Sequence, residues 1–168
     1  MNGMYEAALI DGYVGMKHGT RHYPMLHLLR LFRLADRVKL MQLSDRAQTF
    51  PMTVYRGVAG RGRSRRIRGL SWTSNLNIAC WFARRAGIKL DDPAVYEATM
   101  TLENVFCSCK YECEIIGYPS KCRRMSMTLE ELTTKAEMWD RENEESRLRL
   151  IEEYKTQQPV TEVFNAVD

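Results

Sequence analysis

Residues 111–119 read Tyr-Glu-Cys-Glu-Ile-Ile-Gly-Tyr-Pro, with Glu112 and Glu114 flanking one cysteine ahead of an apolar run. A strand over these residues puts both carboxylates on one face, because side chains alternate along a strand. Like charges there repel, and burying either is costly. The pattern therefore fits one of two settings. Either the face is wet and the pair is incidental, or the pair faces a cleft that receives a cation.

Two other places carry residues with chemical potential. Arg56 ends an apolar stretch, "TVYR", and is followed by Gly57. A guanidinium beside exposed backbone matches phosphate oxygens in a bidentate fork, although alone it reads first as a strand-end salt bridge. In "GLSWTSN", Ser71 and Thr73 stand two residues apart ahead of a helix start. Their hydroxyls can order neighbouring side chains, bind the hydroxyls of a sugar, or simply cap the strand end.

An arginine at a strand end, then a serine strand, then Glu-x-Glu is an ordered set. At this point the chain resembles the Arg–Ser–Glu branch of the mono-ADP-ribosyltransferase superfamily. Ala79 and Phe82 follow Ser71 at eight and eleven residues, offsets typical of that family. The resemblance covers residues 52–119. Trp72 stands where the family has a small residue, Thr73 where it has a second serine, and the interval from Arg56 to Ser71 is short and very basic.

The resemblance implies a split β-sheet core and cleavage of the nicotinamide–ribose bond of NAD, with transfer of ADP-ribose to a nucleophile. Glu114 would face the developing positive charge on the ribose. Glu112 would face the incoming nucleophile, an arginine when a glutamate stands at that position. Arg56 would hold a phosphate or ribose of NAD, and Gly57 would offer backbone groups to the nicotinamide amide. Ser71 would hold Glu114 or the ribose, and Thr73 and Phe82 complete the NAD-binding set. NAD is the substrate, a protein is the acceptor, and no metal is implied. A small form of this kind resembles phage- or prophage-encoded members that modify host proteins. The alternative is a weak or inactive member of the fold that acts by binding an acidic or nucleic-acid-binding partner.

The elements that must position these residues read as α+β. Residues 1–50 look helical, with one segment ending near Gly19 and another running from Pro24 through Leu40. Strands are expected at 52–58, 70–74, 94–101 and in the stretches "NVFCSCK" and "ECEIIGY", with a helix over 75–87 capped by Asn75. Residues 121–168 read as a charged helical tail, opened by a capping box of Thr128 and Glu131. The whole reads as one domain: a helical part (1–50), an NAD-binding β-rich core (51–120) and the tail.

Composition narrows the setting. With 168 residues and 45% apolar content the chain can build a core. No run approaches about 18 uncharged apolar residues, so no membrane span is expected. The N-terminus lacks a basic region followed by an apolar one, which points to a cytoplasmic protein. Cys107, Cys109, Cys113 and Cys122 lack the CxxC spacing of structural zinc sites, and with Cys80 they read as reduced thiols. His18, His22 and His27 read as surface or half-buried residues. Residues 129–168 carry a net charge of −6 and the rest +10. The arginines at 61, 63, 65, 66 and 68 could be a solvated loop, could grip an acidic protein or a nucleic acid, or could lie over the NAD pyrophosphate. Without interleaved aromatics, nucleic acid is the less favoured partner.

Overall fold

The computed structural model describes residues 4–15, 24–45, 48–109 and 111–157. Its elements follow in the order α1 (Met4–Gly15), α2 (Met25–Leu34), α3 (Arg37–Gln42), β1 (Met52–Val58), β2 (Ser71–Thr73), α4 (Leu76–Gly87), β3 (Ala94–Met100), β4 (Val105–Cys109), β5 (Glu114–Gly117), β6 (Arg123–Arg124) and α5 (Leu129–Gln157). The fold is α+β, as expected, with helices at both ends of an antiparallel sheet.

The six strands form one sheet in the order β4-β5-β2-β1-β3-β6. Its pairing is uneven. β1 and β3 pair along their whole length, from Met52 opposite Met100 to Val58 opposite Ala94. β2 pairs with β5 from Ser71 opposite Ile116 to Thr73 opposite Glu114. Between β1 and β2 the register has one pair, Tyr55 opposite Thr73. The sheet thus has a waist, and the chemically interesting residues flank it.

Strand alternation and helical periodicity place the core. The neighbours Ile115 and Ile116 enter different apolar clusters, as adjacent strand residues must. Ile116 packs with Leu28, Leu29 and Phe32 of α2 and with Tyr13 of α1. Ile115 packs with Val54, Trp72, Ala98 and Met100. α4 approaches β1 closely because Gly57 has no side chain: a Cβ there would stand 1.9 Å from the Ala79 carbonyl oxygen and 2.5 Å from the Ala83 nitrogen. Asn75 caps α4, its side chain accepting from the backbone N–H of Asn77 at 2.8 Å. α5 buries Leu132 and Ala136, one helical turn apart, in a cluster with Ala79, Cys80, Ala83 and Val95. The expected capping box forms, with the Thr128 N–H donating to Glu131 Oε2 at 2.8 Å and the Glu131 N–H to Thr128 Oγ1 at 3.1 Å.

Three boundaries differ from expectation. The helical run after Pro24 breaks at Ala35–Asp36. The Asp36 carboxylate accepts from Val38 and Lys39 as an N-cap, and its own N–H donates to Glu6 Oε1 at 3.0 Å; a cap inside an otherwise periodic run outweighs the periodicity. The strand expected from Glu112 begins only at Glu114, because Glu112 and Cys113 turn with φ of 54° and 47°. The tail contains a short strand before its helix, since Arg124 pairs with Tyr96 at the sheet edge. The first helix is described to Gly15, and its expected end near Gly19 lies outside the described residues, as do His18 and His22. His27 is exposed.

Candidate active site

A cleft of about 810 Å³ opens at the waist of the sheet. β1 supplies Tyr55, Arg56 and Gly57, β2 supplies Ser71, Trp72 and Thr73, and α4 supplies Phe82. Glu112 and Glu114 line it from the turn and the start of β5. The structure therefore brings together all seven residues singled out in the sequence, from four separate stretches of chain. It does so without the alternation argument for the glutamates: Glu112 reaches the cleft from a turn, Glu114 from the strand.

A chain of hydrogen bonds crosses the waist. Arg56 Nη1 donates to the Ser71 carbonyl oxygen at 2.5 Å. Ser71 Oγ donates to Glu114 Oε1, also at 2.5 Å. Glu114 is 2% exposed, so this short, charge-assisted bond counters the desolvation of its carboxylate. Thr73 Oγ1 donates to the Glu112 carbonyl oxygen at 2.9 Å and accepts from the Asn75 N–H at 3.1 Å. One strand-end hydroxyl thus fixes the Glu114 carboxylate, and the other fixes the turn that carries Glu112.

Arg56 is held by shape as well as by hydrogen bonding. Its guanidinium lies against Gly69, where a Cβ would stand 2.5 Å from Nη2 and 2.6 Å from Cζ. Burial pulls its pKa down, while the nearby Glu114 carboxylate pushes it up; a guanidinium stays protonated in this balance. Its Nε is buried and has no hydrogen-bond partner among the described residues. A buried donor left in this state is costly.

Trp72, the departure from the small residue of the family pattern, is a core residue. It is 3% exposed and its Nε1 donates to the Gly69 carbonyl oxygen at 2.9 Å. Tyr13 is the contributor that motif reading missed. It sits in α1, far outside residues 52–119, yet lines the cleft and is 7% exposed. Burial first, then the charge of Glu114, push its hydroxyl above the ordinary tyrosine range, so it remains a hydrogen-bond donor. Nothing in α1 distinguishes Tyr13 from any other core aromatic. Gly69, just before a strand, carried only the signal of a turn.

The arginine-rich segment splits into two kinds of residue. Arg65 faces inward. Its Nε donates to the Gly60 carbonyl oxygen at 2.6 Å, its Nη2 donates to the Asp92 carbonyl oxygen at 2.9 Å, and it forms an ion pair with the Asp92 carboxylate. Arg124 adds a second ion pair to Asp92 at 2.8 Å, and the two guanidinium groups hold that carboxylate below its usual range. Arg66 and Arg68 are exposed and line the cleft.

The cysteines are free thiols. Burial pushes Cys80 up to about 11. A hydrogen bond with Cys109, then burial, push Cys107 up. Among the described residues no three His, Cys, Asp or Glu side chains converge to hold a metal ion, and no helix is long and apolar enough to cross a membrane. Set against known proteins, the chain matches no family model, no curated protein and no solved structure.

Proposed function

We propose that this chain is an NAD-dependent mono-ADP-ribosyltransferase that modifies a protein on arginine. One observation carries the reading. Arg56, Ser71 and Glu114, an ordered triad by resemblance, meet in a single cleft, with Ser71 Oγ on the Glu114 carboxylate and Arg56 on the Ser71 backbone. The cleft's volume lies in the range of small-molecule sites, and the Arg56 guanidinium on its lining is a cation suited to an anionic ligand.

In this reading Arg56 orients NAD through a phosphate or ribose oxygen. The bond between nicotinamide and ribose breaks, its electron pair goes to the pyridinium nitrogen, and nicotinamide leaves neutral. The ribose carbon becomes cationic in the transition state, and Glu114, fixed by Ser71 in a largely dry setting, stabilises that charge. A guanidinium nitrogen of the acceptor forms the new bond, and its proton passes to Glu112 or to water. Gly57 and Phe82 bound the nicotinamide end of the cleft.

The test is transfer of label from adenine-labelled NAD to protein in a bacterial lysate, with wild type and Glu114→Gln side by side. A labelled band with wild type alone is expected. Loss in the variant should reach about 10²–10³-fold, the scale of removing one transition-state electrostatic contact. A folded wild type that neither labels protein nor releases nicotinamide would overturn the reading and leave a binding protein on this fold.

A further inference from the structure

The arginine segment does something the catalytic set does not require. Arg65, Arg84, Arg123, Arg124, Arg147 and Arg149 each meet a carboxylate. Arg61, Arg63, Arg66 and Arg68 form no ion pair with the described residues and are exposed. They are crowded on one strap, residues 60–70, and like charges so placed repel.

The strap is nevertheless anchored. Its start is tied down by the Gly60 N–H on the Asp91 carbonyl oxygen at 2.5 Å and by Arg65 on Gly60 and Asp92. Its end is tied down by Gly69 against Arg56 and Trp72. Arg66 and Arg68 are thus held on the wall of the cleft that also contains Glu112. A carboxylate within, and unpaired guanidinium groups at the rim, form a pattern of charge complementary to a cation flanked by anions.

We infer that the strap selects the acceptor, and that the acceptor is an arginine set in an acidic polypeptide segment, with Arg66 and Arg68 pairing its acidic neighbours. The inference rests on the transferase reading above. The strap carries no aromatic residue on which a nucleobase could stack, which favours an acidic peptide over a single-stranded nucleic acid. Arg56 already occupies the floor of the cleft as the cation for the dinucleotide, which leaves the rim pair for the acceptor.

The experiment uses the full chain, labelled NAD and three synthetic peptides holding one arginine flanked by glutamate, serine or lysine. Agmatine serves as a free guanidine control. Wild type should modify the glutamate-flanked peptide with kcat/KM at least about tenfold above the serine peptide, two rim pairs each being worth a few-fold. The lysine peptide should be the poorest. The preference should shrink as salt shortens the screening length. Arg66→Gln with Arg68→Gln should reduce it to threefold or less through acceptor KM, with kcat little changed. Equal rates on all three peptides would overturn the inference. So would an equal rise in KM for NAD, measured as nicotinamide release without acceptor, which would move the two arginines to the dinucleotide. Inhibition by single-stranded RNA stronger than by an arginine-free acidic peptide would overturn it in favour of a nucleic acid. Modification of agmatine without peptide discrimination would sink this inference alone, whereas no transfer to any guanidine and no nicotinamide release would sink the transferase reading.

Discussion

Single atoms decide much of this site. Gly69 shows it best, because the missing Cβ is what lets the Arg56 guanidinium lie flat. Gly69→Ala is expected to displace Arg56 with little loss of fold, since the clashing atoms are the far end of a flexible side chain. KM for NAD should rise about tenfold, the cost of one mis-set charged hydrogen bond, while the melting temperature falls by no more than a few degrees; steady-state kinetics beside a thermal melt would check both. Titration follows from the same buried groups. Tyr13, Cys80 and Cys107 all have folded-state pKa values raised above their unfolded ones. Their protonated forms are favoured in the fold. Stability is therefore fully present below the unfolded values and lost as pH rises through them. Melting temperature should start to fall above about pH 9, where unfolded thiols begin to ionise. Tyr13→Phe should soften the part of that fall that begins near pH 10.

The elements divide into those legible in the sequence and those that were not. α4 was legible end to end, because Asn75 is a strong cap and the helix stops at Gly87. β1 was legible as an apolar run closed by a glycine, β3 from its alternation, and the α5 start from its capping box. The α2–α3 break was hidden, because apolar residues keep a helical spacing across Asp36, and only its tie to Glu6 gives away the cap. The two-residue β6 was hidden too, since Arg123 and Arg124 have no strand pattern and pair only because the β3 edge is there. The charged tail helix packs along only part of its length. Leu132 is buried against α4, while every residue from Arg141 to Glu153 is exposed. Leu132→Ala should cost about 2–5 kcal/mol of unfolding free energy, the usual range for a buried leucine. Leu148→Ala, at an exposed position, should stay within about 0.5 kcal/mol. Urea denaturation of the two variants would separate them.

Across the whole molecule, the waist between β1 and β2 joins a half-sheet of β4, β5 and β2 to one of β1, β3 and β6. Neither half holds the site alone. Arg56 comes from one, Ser71 and Glu114 from the other, and the bond between Arg56 and Ser71 spans the join. The order of the three motifs was visible in the sequence. The single register pair between them was not, because strand pairing depends on the strap length and on packing against α1 and α4. A ligand that engages both halves should tighten the join. NAD at about 100 times its dissociation constant should add about 2.7 kcal/mol by mass action, a rise in melting temperature of about 5–10 °C for a chain of this size. NMN, which lacks the adenylate half, should do less, and differential scanning fluorimetry reads both.

The turn that delivers Glu112 has a bearing on how this sequence can drift. With φ of 54° at Glu112 and 47° at Cys113, both residues sit in backbone territory that glycine and asparagine occupy far more cheaply. Glu112→Gly should raise stability by up to about 1 kcal/mol while abolishing transfer to arginine. Backbone stability alone thus disfavours the carboxylate at this position. On the transferase reading, a lineage that no longer modifies arginine should show glycine or asparagine at this position before any change at Glu114, whose strand geometry offers no such relief.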